Sequence, residues 1–194
     1  MFVEPEFSQT IPLKERRNLV GFIGRVSLEK GILPFVRAIP AVITALPDTE
    51  FLIIGSGRVD ELLQDELVAL KLAEKVAWLR WVDRGEVGRR LNQLKLLVVP
   101  SSTEGLPYII LEAAACGTPV LATGVGGIPD LIAHGKTGFL LPNNSSEAIA
   151  RGIQSALSSD RLAIIAEQAR RMAEDEYSFQ ACVRRYRSIF LDRE

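Results

Sequence analysis

Five glycine-bearing segments, 24–31, 55–58, 82–85, 100–107 and 123–129, hold the residues best suited to chemistry. In the first, Arg25 and Lys30 stand between Gly24 and Gly31. Two cations on a strand-to-helix turn form an anion site, because unpaired amide hydrogens and the helix dipole add to the side-chain charge. Arginine grips phosphate oxygens with a planar fork, and lysine supplies a mobile point charge. Taken alone, the pair also describes two solvated loop cations. In the fourth segment Glu104 precedes Gly105 and Leu106, and Glu112 follows with seven residues between the two carboxylates. That spacing by itself carries little weight; the setting carries more. Glu104 lies in the loop after an apolar strand, and Gly105 permits close backbone approach. Glu112 falls about a turn and a half into the next helix, where it can face the same cleft, although a solvated helix glutamate is the plain alternative. The Gly105 and Leu106 amides open that helix and suit an anion or sugar hydroxyls. A carboxylate beside a phosphate site is costly unless it binds hydroxyls, and hydroxyls imply a sugar.

Other candidates read more plainly. Gly55 and Gly57 resemble part of a dinucleotide fingerprint, but they follow the second strand and no G-x-G-x-x-G is present, so the oxidoreductase reading is weak. Gly126 and Gly127 feed a helix that starts at Pro129, with Asp130 complementing its dipole. His134, beside Gly135, suits a helix end or turn. Cys116 suits a small buried apolar position better than a nucleophile's. Trp78 and Trp81 read as strand residues forming core or cleft wall, with base stacking by Trp81 as the alternative.

The elements that would position these residues alternate. Short apolar runs at 19–23, 51–54, 76–81, 96–99, 120–122 and 139–141 read as strands buried on both faces. Helical spacing covers 32–46, with a kink or broken turn expected at Pro40, then 59–72, 86–94, 107–116 and 129–133. From Ser146 the pattern is helical, broken near 158–160 and 177–178. Strand–helix alternation implies an α/β, Rossmann-like parallel sheet of about six strands, helices on both faces and a helical C-terminal tail. Ligands then bind where strand ends meet helix starts. The charged, aperiodic segment 1–18 reads as a linker and 19–194 as the domain.

Composition sets the outer limits. With 194 residues, 23 Lys+Arg against 24 Asp+Glu, 47% hydrophobic residues and net charge −1, the chain is long enough for one packed core. Those proportions exclude disordered and fibrous classes, and the neutral balance argues against nucleic-acid binding. Two distant cysteines and one histidine supply no metal or disulfide framework. The N-terminus lacks a signal-peptide pattern and no apolar run is long enough to span a bilayer, so a cytoplasmic setting is expected.

Taken in order, Gly24-Arg25 to Lys30-Gly31, Pro100-Ser101 to Glu104-Gly105-Leu106-Pro107, Leu111-Glu112-Ala113 with Cys116-Gly117-Thr118-Pro119, Gly126-Gly127-Ile128-Pro129 and Gly135-Lys136-Thr137-Gly138 form a recognisable set. The chain resembles the C-terminal, donor-binding domain of retaining GT-B glycosyltransferases of family four, the E-x7-E group, over roughly 19–190. The resemblance implies that Arg25 and Lys30 hold the diphosphate of a nucleotide-sugar donor. It implies Glu104 on hydroxyls of the transferred sugar, Glu112 on the ribose diol, and the Gly105 and Leu106 amides on sugar and phosphate. Gly55, Gly57, Trp81, Val82 and Asp83 would line the base pocket. Neither a metal nor another cofactor is implied, and the donor phosphate would take the proton of an acceptor attacking on the leaving group's own face.

The acceptor site would belong to an N-terminal domain of the same enzyme or of a partner subunit. This chain alone would then be inactive or nearly so, and any membrane contact would come through that other domain. Three positions depart from the family's pattern: Asp130 for the more frequent Glu, Asn143-Asn144 for an aspartate, and Lys95 for an acidic residue. A non-catalytic nucleotide-sugar-binding subunit and a GT-B-like sugar-nucleotide epimerase are the competing readings. If the tail packs on the other domain, Tyr186, Ile189 or Phe190 should be exposed or engaged in an interface.

Overall fold

The computed structural model describes residues 2–191, with side chains described to residue 187. Six strands, β1 (Leu19–Ile23), β2 (Glu50–Ile54), β3 (Val76–Leu79), β4 (Leu96–Val99), β5 (Val120–Thr123) and β6 (Phe139–Leu141), form one sheet. Every pairing is parallel and the order is β3-β2-β1-β4-β5-β6. Parallel neighbours require crossovers, and helices supply them: α1 (Ile32–Ala45), α2 (Asp60–Ala69), α3 (Arg84–Gln93), α4 (Tyr108–Ala115) and α5 (Ile128–Leu131). Three more helices, α6 (Ser146–Leu157), α7 (Leu162–Tyr177) and α8 (Phe179–Leu191), complete the described chain.

Alternate strand residues feed two cores. Val20, Phe22, Phe51, Ile53, Leu96 and Val98 pack with α1, α2 and α6 on one face. Leu52, Ile54, Leu97, Val99, Val120 and Ala122 pack with α3, α4, α5 and α7 on the other. Burial on both sides is why these strands read as unbroken apolar runs. Between β1 and β4 the strand order reverses, and the two pair only through Val20–Leu96 and Gly21–Leu97. Their carboxyl ends therefore diverge, opening a crevice at the switch point.

Several boundaries differ from the sequence expectation, each for a local reason. α1 runs unbroken through Pro40, held by buried Ile39 and Val42, and the Pro40 carbonyl accepts a hydrogen bond from Thr44 Oγ1 at 2.9 Å. α4 begins at Tyr108 with Pro107 as its N-cap residue. Its end is a Schellman turn: Gly117, at φ 63°, donates to the Ala114 carbonyl and Thr118 donates to that of Ala113. β3 stops at Leu79 because its pairing with β2 ends at Ile54–Leu79. Trp81 is consequently not a strand residue and is 75% exposed, whereas Trp78 donates from Nε1 to the Gly55 carbonyl at 2.9 Å.

The segment before β1 lies packed against the sheet. Phe7 and Leu13 are buried, and so is Arg16. The Arg16 guanidinium donates to the carbonyls of Ile11, Leu91, Leu94 and Cys116 and to Thr118 Oγ1, at 2.7–3.3 Å. Burial lowers its pKa to about 10, which still leaves it charged at neutral pH. Lys95, one of the departures from the family's pattern, donates to the Leu13 carbonyl at 2.9 Å and so helps fasten the same segment. At the other end, Tyr186 is exposed, while the side chains of Ile189 and Phe190 lie outside the described residues. Among the described residues no helix is long and apolar enough to cross a membrane.

Candidate functional site

The crevice at the switch point is a cavity of about 320 Å³ whose floor is Phe22, Ile23, Val98 and Val99. Its polar lining comprises Arg25, Lys30, Ser101, Glu104 and Tyr108. Lys30 Nζ donates to Glu104 Oε1 at 2.7 Å, joining the loop after β1 to the loop after β4. The Glu104 side chain is only 8% exposed, and Lys30 is 31% exposed. Ser101 Oγ donates to the same Oε1 at 2.7 Å. Arg25 is exposed on the cavity wall.

Glycines explain how the loops come this close. At Gly31, with φ 72°, an added Cβ would overlap the Pro100 carbonyl oxygen; at Gly55 and Gly57 it would overlap the carbonyls of Gly24 and Val26. Gly55 and Gly57 therefore clamp the loop that carries Arg25, and neither is part of the cavity lining. Ser102 reinforces the joint, its amide donating to the Glu29 carbonyl at 2.8 Å. On the far side Gly127 donates to the Gly105 carbonyl at 2.8 Å, and Gly126, at φ 55°, has no room for a Cβ beneath the Glu104 carbonyl. Gly126→Ala combines a left-handed backbone with a clash against backbone, which costs about 2 kcal/mol or more. The expected result is a lower melting temperature together with weaker ligand binding, because Glu104 must move; an alanine variant matching the wild type in both would contradict it. By contrast, Gly105 has open space where a Cβ would lie. Its amide and that of exposed Leu106 sit just ahead of α4, where the helix dipole favours negative charge.

Glu112 does not line this cavity. It is buried on α4 and accepts from Arg84 Nη2 at 3.3 Å. Arg84 also binds Glu4 Oε2 through Nε and Nη2 at 2.8 and 2.6 Å, with Glu6 at 4.0 Å. Burial raises the Glu112 pKa, Arg84 opposes the shift, and Glu4 and Glu6 add to it. A carboxyl with a raised folded-state pKa costs stability as pH climbs from its unfolded value through its folded one. Glu112→Gln removes that cost, so its melting temperature relative to wild type should rise between pH 4 and pH 7. A difference that falls with pH would refute this.

Of the proposed base-pocket residues, Val82 is half-buried against the second core and Asp83 is exposed at the N-cap of α3. Neither these nor Trp81 lines the cavity; Arg84 is what links that loop to Glu112. The structure thus gathers Arg25, Lys30 and Glu104, and places Glu112 with the 81–84 loop in an adjoining cluster. Sequence reasoning gave Ser101 and Arg84 no role of their own. For Ser101 the available signal was a serine directly after the proline that ends an apolar strand. His134 closes a turn, its Nδ1 accepting from the Leu140 amide at 3.0 Å. Cys116 is fully buried, its thiol pushed up to about 12 by burial.

The fold recurs in known proteins. Residues 3–178 match the family model for glycosyl transferases group 1. A GDP-mannose-dependent α-(1-6)-phosphatidylinositol monomannoside mannosyltransferase of Mycolicibacterium smegmatis is 32% identical over 154 residues, covering 76% of this chain and 40% of that protein. The C-terminal domain of a glycosyl transferase group 1 family protein from Francisella tularensis superposes with a TM-score of 0.77 at 25% identity, covering 88% of this chain and 89% of that one. S. aureus TarM, in complex with fondaparinux, α-GlcNAc-glycerol and UDP, shares the fold at a TM-score of 0.84 and 23% identity, covering 98% of this chain and 38% of that one. The chain spans about two-fifths of the length of the curated relatives it matches. By the family match and the shared architecture, this chain is a domain of the glycosyl transferases group 1 family.

Proposed function

We propose that this domain is the donor-binding half of a retaining glycosyltransferase and takes a nucleoside-diphosphate sugar in the cleft between β1 and β4. The observation that carries the reading is the meeting of Lys30 and Glu104 at 2.7 Å where the strand order reverses. A cation and a carboxylate joined in one small cavity match a ligand with phosphate at one end and hydroxyls at the other. Arg25 and Lys30 hold the diphosphate. Glu104, an acceptor-only group when ionised, accepts hydrogen bonds from hydroxyls of the transferred sugar. The Gly105 and Leu106 amides face sugar and phosphate oxygens, and Glu112 takes the ribose diol from its place beside Arg84. Gly55, Gly57, Trp81, Val82 and Asp83 border the base, the two glycines by shaping the loop that carries Arg25.

Bond breaking leaves negative charge on the departing nucleoside diphosphate, and fixed cations offset it without reorganising. Arg25 and Lys30 thereby do the work that a divalent cation does in metal-dependent transferases. The donor phosphate accepts the proton of the attacking acceptor hydroxyl, on the face the leaving group departs from. The acceptor is held by a second domain or partner subunit, so transfer requires that other half. Cytoplasmic catalysis belongs to the same reading. S. aureus TarM with UDP and the mycobacterial GDP-mannose-dependent relative bring uridine and guanosine diphosphates forward as the first donors to test. Calorimetric titration of the folded chain with UDP-glucose, UDP-GlcNAc and GDP-mannose should give binding in the micromolar to millimolar range. Silence toward every common nucleotide sugar would overturn the proposal.

A further inference from the structure

Glu104 is gripped from several sides, and one of the grips has a consequence for the sugar. Ser101 is 1% exposed and directly follows Pro100, whose carbonyl leaves no room for a Cβ at Gly31. Both hydrogen bonds given to the Glu104 carboxylate among the described residues, from Lys30 Nζ and from Ser101 Oγ, end on Oε1 at 2.7 Å. Oε2 is not among the fully buried polar atoms that lack a partner, and Glu104 is one of the residues lining the cavity. The Glu104 backbone is meanwhile fixed by Gly126 and by the Gly127–Gly105 hydrogen bond.

We propose that Ser101 is a positioning residue for Glu104: it fixes Oε1 so that Oε2 faces the cavity as the acceptor for a hydroxyl of the transferred sugar. The inference rests on the donor-site reading above and assigns Ser101 a role in recognising the sugar but none in recognising the nucleotide. Lys30 is the weaker anchor of the two, because a bound diphosphate competes for its ammonium group. Ser101 is buried, bears no charge and has no such rival. Its hold on the carboxylate therefore persists when the ligand enters.

The test compares UDP with UDP-glucose and UDP-GlcNAc, and GDP with GDP-mannose, on the whole chain by calorimetry. The quantity of interest is the affinity gained by adding the sugar to the same nucleotide. Ser101→Ala should reduce that gain about tenfold, the usual weight of a hydrogen bond to a charged group, and leave UDP or GDP affinity within about twofold. Unchanged nucleoside-diphosphate binding also shows that the variant is folded. Glu104→Gln, placed under the same titrations, completes a double-mutant cycle. If Ser101 acts only through Glu104, adding Ser101→Ala to Glu104→Gln should change the sugar-dependent gain no further. Equal losses for nucleotide and nucleotide sugar would mark Ser101 as a loop brace only and overturn the inference, as would an undiminished gain in Ser101→Ala or additivity of the two substitutions. A wild type that binds no nucleotide at all would instead overturn the donor-site reading itself.

Discussion

Replacing Lys30 with alanine is expected to weaken nucleoside-diphosphate binding by about 30- to 100-fold, or about 2–3 kcal/mol, the range for charge-assisted hydrogen bonds. Two effects combine. The diphosphate loses a cation, and Glu104, whose side chain is 8% exposed, loses the partner at 2.7 Å that offsets its burial. An uncompensated carboxylate beside a phosphate then repels the ligand as well. Lys30→Arg should recover only part of the affinity, because a planar fork does not reproduce a compact ammonium between carboxylate and phosphate. Adding Glu104→Gln to the alanine variant should restore some nucleotide binding, since it removes the repelling charge, while sugar recognition stays lost. Calorimetry with UDP and GDP decides the matter, and an alanine variant within threefold of wild type would contradict the assignment.

The largest stability effect is expected at the opposite edge of the sheet. Arg16→Ala strips partners from the buried carbonyls of Leu91, Leu94 and Cys116 and from Thr118 Oγ1. Thr118 Oγ1 retains its own bond to the Leu91 carbonyl, so part of the network survives. Each buried group left unpaired costs about 1–3 kcal/mol, and a total of about 3–5 kcal/mol corresponds to roughly 10 °C in melting temperature for a chain of this size. Arg16→Lys should fall between, since an ammonium has three donors to the five of guanidinium. These contacts flank the amino ends of β4 and β5, whereas the cleft opens at the carboxyl ends. Nucleotide affinity measured well below the melting transition should therefore remain unchanged. A melting temperature within 2 °C of wild type would show that the network contributes little.

The two sites mark what was legible in the sequence. The strands were, because burial on both faces leaves no polar residue to interrupt runs such as Leu96–Val99. So was the placement of Lys30 and Glu104 together, since a strand-to-helix loop in a parallel sheet places its charges on one edge whatever its detailed shape. Arg16 was not. Apart from the Ile11 carbonyl, its acceptors lie 75 to 102 residues away along the chain, and a charged residue in an aperiodic segment reads as solvated until those groups are in place. Trp81 misled because an apolar run does not reveal where pairing stops; β2 supplies no partner beyond Ile54. Glu112 was placed on the correct helix, but its bond to Arg84 joins it to a partner visible only in three dimensions. Ser101 was read only as part of a motif, with no role of its own, because a serine has no charge or period to betray it and its contact is one oxygen of a neighbour three residues away.

The central claim is a location, the crevice between β1 and β4, and amide chemical-shift mapping tests it most directly. Titrating the isotope-labelled chain with UDP, GDP and their sugars should perturb the amides of Gly24, Arg25, Lys30, Gly105 and Leu106 first and most strongly. The apolar groove lined by Phe2, Phe7, Ala173 and Phe179, about 490 Å³ in volume, should stay silent. Perturbations confined to that groove, or none at the ends of β1 and β4 at saturating ligand, would contradict the account.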